Sequence, residues 1–157
     1  MSEFTLPPQH PLNLKNILAM DFGEKFIGIA TFCVNRDPFP TPYGRIQNTG
    51  PEAVIKALNK IIDDELIDLI IIGLPHLTDG KKTSTTEKAQ KFVNFIREHF
   101  TLPIEEQDET LSTFEAESRM KNSPRYNFQV DLKQIDAVAA SVILEDFIRR
   151  TKHRPGL

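Results

Sequence analysis

Ile17 to Met20 is an apolar run that ends in an acid, Asp21, and the turn Phe22-Gly23-Glu24-Lys25 follows it. Phe26 to Phe32 is a second apolar run, so the two are predicted to pair as a hairpin. Pro38, Pro40 and Pro42 mark a loop, after which Tyr43 to Asn48 reads as a third strand. Pro51 stands where a helix's first turn tolerates it, and Val54, Ala57, Leu58, Ile61 and Ile62 recur at helical spacing. Leu69 to Ile72 is a continuous apolar run suited to a strand buried on both faces. Gly73 to Thr86 is polar and contains Gly80, hence a loop. Ala89, Phe92, Val93, Ile96 and Phe100 form the stripe of a second helix, and Ile104 to Asp108 reads as a fifth strand. Ser112 and Glu115 have capping-box spacing, which predicts a short helix running towards Met120. Lys121 to Val130 is an irregular linker, and Asp131 is the expected cap of a last helix through Arg150.

Three strands, then helix, strand, helix, strand and a final helix predict an α/β fold. Its expected form is a mixed five-stranded sheet, in which a three-strand antiparallel meander continues into parallel strands with helices on both faces. That order resembles the ribonuclease H-like arrangement. The expected organisation of the 157 residues is one such domain over 1–150, with a loose N-terminal extension over 1–14 and a basic tail over 151–157.

Composition narrows the function classes. Hydrophobic residues make up 39% and charged residues 26%, which suits a globular chain rather than a disordered one. The run Leu69 to Leu74 is far too short to cross a bilayer, and 1–11 lacks the basic start and apolar stretch of a secretory signal. A single cysteine, Cys33, excludes an intramolecular disulfide and a multi-cysteine zinc site, so a cytoplasmic location is expected. The net charge of −3 gives no global basic field, so any nucleic-acid contacts have to be local. Arg149, Arg150, Lys152, His153 and Arg154 are such a cluster, although cations at a helix C-terminus also suit the dipole. The loop from His76 to Thr86, with Lys81, Lys82 and several hydroxyls, is either a backbone-following element or simply a solvated loop. His10, His76, His99 and His153 have no metal-ligand spacing, and Cys33 beside an apolar strand reads as a packed residue.

Three acidic positions carry the candidate chemistry. Asp21 ends a buried-looking strand before a glycine turn. Asp108 and Glu109 end the fifth strand, where alternation lets only one of them look into a given site. Asp136 opens the last helix on a stripe with Ala139, Ala140, Ile143 and Phe147, whose small members let the backbone approach the sheet. Each acid alone has an ordinary structural explanation. Together, at one edge of a mixed sheet, three carboxylates repel unless a divalent cation neutralises them, and Mg²⁺ or Mn²⁺ fits such donors. Two such ions can activate water and stabilise the leaving oxygen in phosphodiester hydrolysis.

Four stretches resemble a known family. Asp21-Phe22-Gly23-Glu24-Lys25-Phe26-Ile27-Gly28-Ile29-Ala30 is similar to the opening motif of the YqgF/RuvX family, which comprises proteins regarded as pre-16S rRNA nucleases and Holliday-junction-resolvase-like proteins. Ile71-Ile72-Gly73-Leu74-Pro75 with Asp79-Gly80 is similar to its middle motif. Asp108-Glu109-Thr110-Leu111-Ser112-Thr113 with Glu115-Ala116 is similar to its third. Ile135-Asp136-Ala137-Val138-Ala139-Ala140 with Ile143-Leu144-Glu145 is similar to its fourth. The resemblance implies a ribonuclease H-like, metal-dependent nuclease with Asp21, Glu109 and Asp136 as catalytic metal ligands and Asp108 as an auxiliary. It also implies that Lys25, Ser112 and Thr113 face substrate phosphate. Thr110 stands where the family usually has arginine, so one phosphate contact of the family is missing.

The expected substrate is nucleic acid, with 5′-end processing of pre-16S rRNA first and branched DNA second, and the expected state is monomer or homodimer. Two other classes fit the chain less well. A sugar-kinase-like phosphate turn needs a duplicated domain and a second Asp-x-Gly, which this chain lacks. A non-catalytic nucleic-acid-binding module has no need of all the acids.

Overall fold

The computed structural model describes residues 15–33, 36–74, 84–108 and 112–151. The N-terminal extension, the loop with Lys81 and Lys82, Glu109 and the tail beyond 151 therefore lie outside the described residues. Strands β1 (Ile17–Asp21), β2 (Phe26–Phe32), β3 (Thr41–Gln47), β4 (Leu69–Leu74) and β5 (Ile104–Asp108) form one sheet in the order β3-β2-β1-β4-β5. β1 and β2, like β2 and β3, run antiparallel, whereas β4 lies parallel to β1 and β5 parallel to β4. The helices are α1 (Pro51–Glu65), α2 (Ser84–His99), α3 (Ser112–Lys121) and α4 (Ile135–Thr151). This is the expected meander continuing into parallel strands.

Strand alternation sorts the core into two layers. Leu18, Met20, Ile27, Ile29, Ile70 and Ile72 face Val54, Leu58 and Ile61 of α1 and Val93 and Ile96 of α2. Ile17, Ala19, Ala30, Phe32, Leu69 and Ile71 face Ala140, Ile143, Leu144 and Phe147 of α4. Each fully buried large side chain contributes about 1.5–3 kcal/mol, so both faces are firmly held. The far side of α4 is covered in turn by α3, where Ala116 and Met120 meet Val138 and Ala139. α4 is thus apolar nearly all round because it is sandwiched, as such a helix must be.

Boundaries shift at several places. β3 begins at Thr41 rather than Tyr43 and takes in Pro42, which the sequence assigns to a loop. β3 is an edge strand, and the pairing jumps from Ile29↔Gly44 to Ala30↔Pro42, leaving Tyr43 as the extra residue of a bulge. An edge and a bulge are where a strand tolerates proline. β4 continues through Gly73 and Leu74, and α2 already begins at Ser84, so both reach into the stretch the sequence assigns to a loop. α3 begins at Ser112 itself. The linker after it contains a short 3₁₀ turn, Pro124–Tyr126. Asp131 does not cap α4, which starts four residues later at Ile135. It stabilises the lead-in turn instead, accepting from the Lys133 N–H at 2.9 Å and the Gln134 side chain at 2.6 Å. These hydrogen bonds hold its carboxyl below the usual range. Among the described residues, no helix is long and apolar enough to cross a membrane.

Candidate active site

β1, β4 and β5 are parallel, so their C-terminal ends share one edge of the sheet, the usual place for a site in such folds. The register puts one residue of each strand in a row across that edge: Arg45 of β3, Gly28 of β2, Asp21 of β1, Gly73 of β4 and Gln107 of β5. Asp21 shares its face with Ile17 and Ala19, which pack on α4. It is flanked on both sides by glycine and is only 9% exposed. The turn that follows is tight, for a Cβ on Gly23 would lie 2.2 Å from the Phe26 carbonyl oxygen.

Gly28 explains how Asp136 reaches the same place. A Cβ there would sit 1.9 Å from the Asp136 carbonyl oxygen and 3.0 Å from its Cβ. The first turn of α4 therefore rests directly on the residue paired with Asp21. Ala140, buried among the residues that face the sheet, keeps the next turn of that helix close to it. Two of the acids expected at the site thus come together on one face at one edge.

Arg45 is the group that sequence reasoning missed. Its guanidinium lies 3.7 Å from the centroid of the Phe26 ring, donates to the Leu132 carbonyl at 3.3 Å and stands 3.8 Å from the Asp136 carboxylate. Burial pushes the Asp136 carboxyl up from its usual range, and Arg45 partly opposes the shift. The signal for Arg45 exists only in the strand register, which sets it beside Gly28.

The other expected residues are placed as follows. Lys25 is exposed in the β1–β2 turn, Ser112 is buried at the start of α3, and Thr113 beside it is exposed. Asp108 ends β5, and Glu109, Lys81 and Lys82 lie outside the described residues. On the facing side of β5, Gln107 is buried and accepts from Arg150 of α4. Arg149 stands 3.9 Å from Asp146, so both described arginines of the basic C-terminus have partners within the fold. Cys33 is buried, and burial pushes its thiol up to about 11 despite nearby Arg36, as suits a packed residue.

A second charged cluster holds α3 against α4. Arg119 donates to both Glu145 oxygens, at 2.8 and 2.5 Å, and to Glu115 at 3.1 Å. The hydrogen bond to Glu145 is the main reason the Arg119 pKa is raised.

The divalent cation implied by the resemblance meets donors of the right kind. Asp21 and Asp136 are hard carboxylates, and a cation's charge would relieve the desolvation that raises the Asp136 pKa. Among the described residues, no group of three His, Cys, Asp or Glu is close enough to hold a metal; the third expected ligand, Glu109, lies outside them.

The chain matches the RuvX family, described as "Holliday junction resolvase", over residues 15–150. It is 34% identical over 137 residues to the "Putative pre-16S rRNA nuclease" of Maridesulfovibrio salexigens, covering 85% of this chain and 98% of that one. A Synechocystis relative of the same name is 30% identical, covering 88% of this chain and 91% of that one. Among solved structures, Thermus thermophilus RuvC in complex with a Holliday junction superposes with a TM-score of 0.54 at 10% identity, covering 86% of this chain and 96% of that one. The fowlpox virus resolvase does so with a TM-score of 0.54 at 13% identity, covering 86% and 97%. The fold is therefore that of the ribonuclease H-like resolvases.

Proposed function

The chain belongs to the RuvX family, and from that premise we propose that it is a metal-dependent nuclease that hydrolyses phosphodiester bonds in the 5′-end processing of pre-16S rRNA. The observation that carries this reading is the seating of Asp136 on Gly28, the residue paired with Asp21. It sets two carboxylates at the edge where the parallel strands end. The resemblance supplies the rest of the set, with Glu109 as the third ligand and Asp108 as the auxiliary. Mg²⁺ or Mn²⁺, when bound, neutralises these acids and polarises the phosphate for attack by water.

Asp21, Glu109 and Asp136 would orient the scissile phosphate through the cation they would hold, with Asp21 set between Gly28 and Gly73. Water forms a bond to phosphorus as the opposite P–O bond breaks, and a proton passes to the leaving oxygen. Lys25 in its exposed turn, Thr113 at the start of α3, and Lys81 with Lys82 grip the flanking backbone, whereas Ser112 beside Thr113 is buried. The names of the relatives favour pre-rRNA as the substrate. The family description favours a second reading, a resolvase for branched DNA, which would act as a two-fold dimer.

The deciding experiment is cleavage of a precursor rRNA fragment and of a four-way DNA junction, with Mg²⁺ or Mn²⁺ and with chelator. Asp21→Asn is nearly isosteric and should reduce cleavage to background while binding survives. Its melting temperature should also lose the rise that millimolar Mg²⁺ gives the wild type. Full cleavage by Asp21→Asn, or an equal metal response, overturns the assignment.

A further inference from the structure

The turn after Asp21 sends Phe22 to the opposite side of the sheet edge, where it forms a wall of a cavity of about 540 Å³ under α2. Phe92 and Phe95 supply further walls, and the Phe22 and Phe92 rings lie 5.0 Å apart, tilted by 33°. All three rings are half-buried, so each keeps some surface open to a ligand. Asn48 lines the cavity with its amide nitrogen committed to the Gly23 carbonyl, which leaves its side-chain oxygen as the acceptor for a ligand. At the rim Lys88 pairs with Glu24 at 3.5 Å, whereas Lys91 makes no ion pair among the described residues.

Aromatic walls, one amide and an unpaired cation match the chemistry of a nucleotide: a flat apolar ring, polar edges and a phosphate. The volume suits a ligand of that size. Position adds a second argument, because Phe22 is the residue next to Asp21. A strand that rounds the sheet edge at Asp21–Phe22, with a phosphate at Asp21, can turn its neighbouring base into this cavity only if that base is unpaired. A further hollow of about 940 Å³ shares Pro51 and Phe95 with the first and carries Lys56, so the strand has a continuing path along α1.

We propose that this cavity receives an unpaired base next to the scissile phosphate, so that the site takes single-stranded rather than fully paired nucleic acid. The proposal rests on the nuclease reading for its ligand class. Stacking of a base on an aromatic side chain is sequence-tolerant and changes affinity by about tenfold per base. The pocket thus selects for strandedness rather than for sequence.

The test uses oligouridylate, the same ribose-phosphate chain without bases, and a blunt RNA duplex, all with chelator present so that nothing is cleaved. Wild type should bind oligouridylate at least about tenfold more tightly than the abasic chain. Phe92→Leu keeps most of the volume but removes the stacking face, and should abolish most of that difference without weakening abasic binding. Lys91→Ala should weaken both single strands alike and lower the salt slope by about one. Equal binding of the two chains by wild type, or equal loss on both with Phe92→Leu, overturns the proposal. Should Phe92→Leu not fold, the side-chain amide resonance of Asn48 in the wild type decides, since oligouridylate must shift it and the abasic chain must not. Normal cleavage by Asp21→Asn would remove the nuclease assignment and leave the base difference standing, so the two failures are separable.

Discussion

Two acids of helix α4 each meet an arginine from another element, and the two meetings are unlike. Glu145 is buried and bound at both oxygens by Arg119, which also reaches Glu115. Asp136 faces Arg45 across 3.8 Å, each side chain about a third exposed, and burial still raises its pKa. The first carboxylate has its charge fully matched and serves to lock α3 onto α4. The second is held in place by its backbone on Gly28 rather than by its charge, which stays available to another partner. One helix thus separates the work of fixing the fold from the work of presenting a reactive group.

The largest blow to this contrast should come from Gly28→Ala, which strikes the Asp136 end alone. The new methyl cannot coexist with the Asp136 carbonyl at 1.9 Å, so the start of α4 must lift. A loss of about 3 kcal/mol in denaturant unfolding is expected, together with loss of cleavage. Unchanged stability would mean that the close approach does not position Asp136. Glu145→Ala strikes the other end. Removing one partner of a buried pair costs about 3–5 kcal/mol, but Arg119 is 36% exposed and solvent screens it. A loss of about 2 kcal/mol is therefore expected, seen as a fall of roughly 4–8 °C in melting temperature. The stabilisation by Mg²⁺ should survive in this variant, and its disappearance would merge the two roles that α4 keeps apart.

Arg45→Gln should have the smallest effect on stability, under about 1 kcal/mol, because the pair is loose and partly exposed. Its signature lies in pH. Desolvation raises the Asp136 carboxyl and Arg45 opposes that rise, so the variant's carboxyl should titrate higher still. A carboxylate whose folded pKa lies above its unfolded value costs stability as pH climbs from that unfolded value, about 3.9, through the raised folded one. The loss on raising pH should be larger in the variant, and carboxyl NMR titration checks it directly. A midpoint that stays put or falls would remove Arg45 as the partner of Asp136.

Much of this was legible along the chain, and the reasons differ by element. β1 ends where expected because its apolar run meets an acid and a glycine turn, and β2 and β5 also keep their expected bounds. The stripe of Asp136 with Ala139 and Ala140 already implied a close approach to the sheet, but not what it approaches. That partner, Gly28, is over a hundred positions away and is brought near only by pairing. Arg45 escaped notice for the same reason, since nothing in Tyr43 to Asn48 distinguishes it until β3 is registered on β2. Asp131 misled because its side chain does cap a turn, one that ends before α4 begins. Pro42 misled because proline marks loops more often than edge strands.

That proline has a consequence for the behaviour of the protein among its own copies. A sheet edge offers unpaired donors and acceptors to any extended chain that meets it, which is how folded domains begin to aggregate. Along the edge strand β3, Pro42 lacks a donor and the bulge at Tyr43 breaks the spacing. An incoming strand finds no uninterrupted run to zip against. The irregularity that blurs where β3 begins also keeps it the last strand on its side of the sheet.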